Sequence, residues 1–284
     1  ETATIYYLAD RFKALGVLPG NPDGTYFQRV PLLSYRTDQA AALTVARGET
    51  NSRFSFGDQF IAWTRRVVDH VDMTGELVFV GYGARAPEFG WDDFKGEDLK
   101  GKVLVVLVND PPLPDEKLFG GRAMTYYGRW TYKFEQAARL GAAGCLIVHE
   151  TGPAGYPWDV VKNSWSGESF TTVGPDKNIS YAPVEGWVTT ETAKALFEMA
   201  GSSLDVARTA ALGRDFKPMR LGITANLSFD NTIRQVESRN VVAKIEGSDA
   251  KLKNEYVVYT AHWDHFGVGV PVDGDNIYNG AVDN

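Results

Sequence analysis

The sequence predicts an α/β protein, and three consecutive segments carry that prediction. Residues 102–108 form a nearly unbroken Val/Leu run, which is typical of a strand buried on both faces. Residues 130–140 place their apolar side chains on one side of a helix that ends at Gly141. Residues 145–149 then supply another short apolar strand. Strand, helix and strand in this order predict a crossover unit.

A helix and a strand are predicted at the start of the chain, and a second strand leads into this unit. Residues 5–15 carry apolar side chains at helical spacing, and Gly16 follows as a stop signal. A strand is predicted at 26–33 and another at 76–82. The mixed pattern of residues 34–74 predicts no particular element.

A loop, two helices and two strands are predicted after the unit. Residues 150–182, rich in Gly, Pro, Ser and Trp, predict a long ordered loop. Helices are predicted from Thr190, as a capping residue, to Ala200 and over 204–212. Period-2 alternation predicts a half-buried strand at 241–246. The run 256–260 predicts a second, more buried strand that leads into His262.

Composition excludes several classes of function. The 284 residues are enough for about two domains. Asp and Glu outnumber Lys and Arg by 36 to 29, so the net charge of −7 gives no footprint for nucleic acid or an anionic membrane. The longest apolar stretch, Val103 to Val108, is far too short for a membrane span. Cys145 is the one cysteine, which excludes an internal disulfide and a zinc site with several thiolates. A metal would be held by His, Asp and Glu.

His262 and Asp264 form the first candidate site. They lie two residues apart at the end of a predicted strand, where both side chains point to the same side. A metal-binding histidine usually gives its other ring N–H to a carboxylate, so His-x-Asp could pair a ligand with an acid that orients it. An isolated His-x-Asp is more often a surface pair, and this alternative stays open.

Asp283 is the second candidate. It lies nineteen residues after Asp264, behind a loop rich in Gly and Asp. A carboxylate can bridge two cations, as two-metal hydrolases require. The same loop is equally compatible with a solvated turn or with a weak calcium loop at Asp273, Asp275 and Asn276. The motifs H-E-x-x-H, G-x-S-x-G and G-x-x-x-x-G-K-[ST] are absent.

Three blocks, residues 240–247, 256–265 and 275–284, resemble the opening of the M28 family of zinc metallopeptidases. These are co-catalytic di-zinc aminopeptidases and carboxypeptidases. Residues 75–215 resemble a protease-associated (PA) domain more loosely, through 81–83, 101–106 and 141–144. Residues 1–33 are similar to the N-terminal lead-in of the family.

The resemblance implies an α/β fold with an M28-type mixed-sheet zinc peptidase domain, incomplete in this chain, and an inserted α/β PA domain. It assigns 1–74 to the first part of the peptidase domain, 75–215 to the PA domain and 216–284 to the start of the metal-binding core. By position, His262 would bind one zinc, Asp283 would bridge both, and Asp264 would be the catalytic acid beside the histidine.

The function implied is that of a zinc-dependent exopeptidase with two zinc ions per full-length chain. We expect an aminopeptidase that hydrolyses N-terminal residues from peptides; the alternatives are a carboxypeptidase and a non-catalytic receptor or binding protein on the same fold. The family's general-base Glu and remaining ligands find no match, so we expect this chain to be the N-terminal part of a larger enzyme and inactive alone. We expect a secreted or periplasmic location with a signal peptide removed, because the chain starts at Glu1 without a methionine.

Overall fold

A computed structural model of the chain describes residues 2–115, 117–121, 123–265, 267–278 and 280. The chain forms two compact units. Unit 1 comprises Glu1–Pro31 and Glu237–Asn284, and unit 2 comprises Leu32–Val236. The fold is mixed α/β, as predicted.

The described chain contains both α-helices and strands. The α-helices are α1 (Thr2–Ala14), α2 (Trp130–Arg139), α3 (Thr151–Ala154), α4 (Trp158–Trp165), α5 (Thr190–Met199) and α6 (Leu204–Ala210). The strands are β1 (Leu18–Pro19), β2 (Phe27–Thr37), β3 (Ala42–Arg47), β4 (Thr50–Ser55), β5 (Phe60–Trp63), β6 (His70–Phe79), β7 (Arg85–Ala86), β8 (Trp91–Asp92), β9 (Val103–Leu107), β10 (Gly144–His149), β11 (Ser169–Thr172), β12 (Glu185–Thr189), β13 (Met219–Val241), β14 (Ala243–Lys244), β15 (Gly267–Val272) and β16 (Asp275–Tyr278).

One ten-stranded mixed sheet dominates the fold. Its order is β11-β2-β13-β6-β9-β10-β12-β5, and β3 pairs with both β13 and β4. Strands β6, β9, β10 and β12 run parallel, whereas β5 and β13 are antiparallel to their neighbours β12 and β6. The predicted crossover unit is confirmed, because β9, α2 and β10 follow one another and the two strands pair in parallel.

The strands β9 and β10 are buried along their whole length. Val103, Val105 and Leu107 belong to one core, with apolar residues of α5 and α6. Leu104 and Val106 belong to the other core, with Cys145 and apolar residues of α2. The apolar pattern of these strands is continuous because both faces of the sheet are covered.

Several predicted elements shift or subdivide. The predicted loop at 150–182 contains α3, α4 and β11. The cap of α5 is Thr189, whose side chain accepts a hydrogen bond from the Thr192 N–H, rather than Thr190. The strand predicted at 241–246 shortens to β14, because the 23-residue β13 already occupies the chain up to Val241.

The prediction of a buried strand at 256–260 is wrong. These residues have no regular secondary structure, and the exposed fractions of Tyr256, Val257, Val258 and Tyr259 are 75%, 84%, 73% and 93%. A strand forms only where a neighbour satisfies its backbone N–H and C=O groups. Within the described part of the chain, no strand pairs with this segment.

No helix among the described residues is both long enough and apolar enough to cross a membrane.

The carboxylate of Glu185, at the start of β12, is a buried charge in the sheet. Its side chain is 1% exposed, and the Nη2 atom of Arg65 lies 2.5 Å from Oε1. The indole N–H of Trp63 donates to Oε2 at 3.0 Å. Burial raises the pKa of Glu185, and the Arg65 guanidinium opposes this shift.

Replacing Arg65 by Met should destabilise unit 2 by about 3–5 kcal/mol, because it leaves a buried carboxylate without its counter-charge. The double variant R65M/E185Q removes that charge and should recover much of the loss. Urea unfolding followed by circular dichroism measures both free energies. A double variant no more stable than R65M would show that the ion pair is not the cause.

Candidate functional site

A short backbone ladder precedes the candidate residues in unit 1. β1 and β14 pair antiparallel, with Leu18 opposite Lys244. The Gly20 N–H donates to the Val242 carbonyl at 2.9 Å, and the Val242 N–H donates to the Tyr26 carbonyl at 2.7 Å. Gly20 is needed here, since an added Cβ would lie 2.7 Å from the Val242 Cγ1 atom. These hydrogen bonds fix the backbone at 242–244, and the segment that contains His262 follows in the chain.

The indole of Trp263 anchors the segment 261–265. Its Nε1 donates to the main-chain oxygen of Arg239, near the end of β13, at 3.2 Å. The side chain of Arg239 lies 3.6 Å from Oε1 of Glu237. The other carboxylate oxygen, Oε2, accepts a 2.8 Å hydrogen bond from Arg29. A segment without regular secondary structure is thereby tied to a strand.

The imidazole of His262 and Asp264 lie beside each other. Nδ1 of His262 lies 2.8 Å from the main-chain oxygen of Asp264 and 3.5 Å from its Oδ1. The nearer acceptor is therefore the carbonyl, and the carboxylate stands beyond ordinary hydrogen-bond distance. Donation to a carbonyl places the proton on Nδ1, which leaves Nε2 as the ring nitrogen with a lone pair. Both side chains are exposed, at 50% and 74%.

The hairpin β15–β16 follows this segment. Gly267 lies opposite Tyr278 and Val268 opposite Ile277. Asp273 and Gly274 form its turn, with φ angles of 52° and 86°. The Asp-Gly dipeptide between strand residues is the sequence signal that would have predicted this hairpin.

The calcium-loop alternative falls on this hairpin. Asp273 lies in the turn, and a carboxylate oxygen of Asp275 accepts a hydrogen bond from the Ile277 N–H at 2.9 Å. Among residues 2–115, 117–121, 123–265, 267–278 and 280, no group of three or more His, Cys, Asp or Glu side chains could hold a metal ion.

The hairpin ends in a close approach between Gly280 and His265. A Cβ added at Gly280 would lie 2.7 Å from Nδ1 and 2.9 Å from Cβ of His265, and still nearer to Cγ. Residue 280 must therefore be a glycine while the ring keeps this position. No pattern in the sequence predicts this contact, and none predicts the hydrogen bond of Trp263.

Of the three predicted site residues, the structure brings His262 and Asp264 together. Asp283 lies outside the described residues. Its predicted role as a bridging ligand therefore stays a prediction.

The C-terminal part of the chain matches a known family. The model of peptidase family M28 matches residues 240–284. We call residues 240–284 the M28 segment, because the family model matches the chain there. It contains the Trp263 hydrogen bond, the His262–Asp264 pair and the β15–β16 hairpin.

Other comparisons extend over more of the chain. One solved structure, an aminopeptidase from Aneurinibacillus sp. strain AM-1, is 19% identical, with a TM-score of 0.37. The similarity covers 87% of this chain and 43% of the aminopeptidase. The chain thus spans less than half the length of that protein. No curated protein matches the sequence. The PA domain at 75–215 stays a prediction.

Replacing Trp263 by Phe should loosen the M28 segment, because it keeps an aromatic ring but removes the hydrogen bond to Arg239. A lost hydrogen bond of about 1 kcal/mol corresponds to roughly 5-fold faster amide exchange. Deuterium uptake by a peptide containing residues 261–265 measures it, with a peptide from β9 as internal reference. Equal uptake in both proteins would show that the indole does not anchor this segment.

Proposed function

We propose that the protein is a zinc-dependent exopeptidase, and specifically an aminopeptidase that removes N-terminal residues from peptides. The observation that carries the proposal is the M28 match of residues 240–284, the segment that holds His262 and Asp264. The proposal concerns the native protein and takes a peptide as substrate.

The donor atoms in this segment fit zinc. Zinc in proteins is bound by imidazole nitrogen and carboxylate oxygen, and its histidine ligands usually donate their second N–H to a carbonyl or carboxylate. His262 meets this condition through the main-chain oxygen of Asp264 at 2.8 Å. A single histidine with one acid beside it does not complete a site, so the proposal includes Asp283 as a further ligand.

Each residue has a distinct part in the proposed reaction. His262 would hold one zinc through Nε2, and Asp283 would bridge two. Zinc bound by these residues would supply polarisation of the scissile carbonyl and activation of a water molecule. The main chain at Asp264 holds the imidazole in its tautomer, and its carboxylate adds negative charge close to the ring. The residue that accepts the proton from water has no match in this sequence.

Replacing Asp283 by Asn should abolish zinc retention and activity, because an amide cannot bridge two cations as a carboxylate does. We expect about two zinc ions per chain in the native protein, measured by elemental analysis after purification with zinc. Hydrolysis of aminoacyl p-nitroanilides measures the activity. D275N is the matched control, since Asp275 lies in the same loop region and its carboxylate accepts a hydrogen bond from a backbone N–H.

The outcomes separate the proposal from its rivals. Normal turnover in D283N would remove Asp283 from the site. Cleavage of substrates from the C-terminal end alone would indicate a carboxypeptidase. A native protein that holds no zinc would favour the receptor or binding protein.

Replacing Asp264 by Ala should lower zinc affinity or activity by about 10–100-fold, the usual effect of losing a group behind a metal ligand. The main-chain oxygen that accepts from His262 remains in this variant, so the loss isolates the carboxylate. Competition with a zinc chelator gives the affinity, and circular dichroism verifies the fold. Unchanged affinity and turnover would leave the carbonyl as the group that orients His262.

A further inference from the structure

The contact between His265 and Gly280 joins the two parts of the M28 segment. His265 follows His262 by three residues, and Gly280 precedes Asp283 by three. The hairpin β15–β16 lies between them in the chain. Its outermost register pair, Gly267 with Tyr278, stands two residues from each side of the contact. The close approach therefore lies at the open end of the hairpin.

The contact is specific in its steric demand. The clashing atoms would be Cβ, Cγ and Nδ1 of His265, which lie close to the backbone and cannot swing aside as the tip of a long side chain can. Gly280 is not among the glycines with a positive φ. Its backbone therefore suits an alanine, and the imidazole of His265 is the obstacle to one.

We infer that His265 is a positioning residue, whose ring packs on the backbone of Gly280 and holds the segment that carries His262 at the open end of the hairpin. This inference rests on the proposed function. The contact lies three residues from the predicted ligand His262. A displacement of the contact shifts His262, and metal coordination tolerates errors of only a few tenths of an ångström.

The hairpin supplies the competing explanation. Its backbone pairing also brings residues 267 and 278 together. If pairing alone set the geometry, the packing of His265 on Gly280 would be without effect on zinc. The two explanations predict different zinc affinities for a variant in which the imidazole ring and the glycine are both replaced.

Four forms of the native protein test the inference: the wild type, G280A, H265A and H265A/G280A. Each is stripped of metal and titrated with zinc against a chromogenic chelator. We expect G280A to bind zinc about 10–100-fold more weakly, as for other disturbances behind a metal ligand. H265A should lose less, because it removes the support without a clash. The double variant should bind at least about 10-fold more tightly than G280A, because the two atoms nearest to the new methyl group, Cγ and Nδ1 of His265, are then gone and only the Cβ at 2.9 Å remains.

G247A is the control for glycine replacement in unit 1, since an added Cβ there meets its nearest atom, the Cα of Lys253, at 3.8 Å. It should bind zinc like the wild type. Should G280A fail to fold by circular dichroism, recovery of the fold in the double variant would support the same contact. A double variant that binds zinc no better than G280A, or folds no better, would overturn the inference while wild-type zinc binding keeps the proposed function. Absence of zinc binding in the wild type would instead overturn the proposed function and the inference with it.

Discussion

Burial of both faces of β9 and β10 is the constraint on which unit 2 depends. Since neighbouring residues of β9 belong to different cores, helices must cover the sheet on two sides.

Polar groups in this interior need partners. Lys133 on α2 is 1% exposed, and its Nζ donates to the carbonyls of Tyr82 at 2.6 Å and Asn109 at 2.9 Å. Burial disfavours the charged ammonium group and lowers its pKa to about 8. The carbonyl oxygens stabilise this charge.

Two segments of similar composition behave differently. Residues 103–107 and 256–260 are both rich in β-branched or apolar side chains, yet the first is buried and the second is exposed. The difference is pairing: β9 has parallel neighbours on both edges, β6 and β10, whereas no described strand lies beside 256–260. β-propensity measures how well a residue suits a pleated, half-buried surface, and the surface comes from other parts of the chain.

The candidate site is organised by neighbours of the predicted ligands. The carbonyl of Asp264 accepts from His262, the indole of Trp263 reaches Arg239, and the ring of His265 packs on Gly280. Each of these groups lies within three residues of a predicted ligand. Control of ligand geometry therefore rests on main-chain and packing contacts, which tolerate fewer substitutions than their exposure suggests.

The sequence by itself determined the α/β class, α1, α2, β9 and β10, because apolar periodicity carries that information. The roles of His262, Asp264 and Asp283 stay predictions, which rest on the resemblance to family M28. Tertiary structure alone decided the length of β13, the exposure of 256–260, the carbonyl as partner of His262 and the contact of His265 with Gly280. These features depend on contacts between groups distant in sequence, or on which of two oxygens of one residue accepts a hydrogen bond. The periodicity of the sequence contains no information about either.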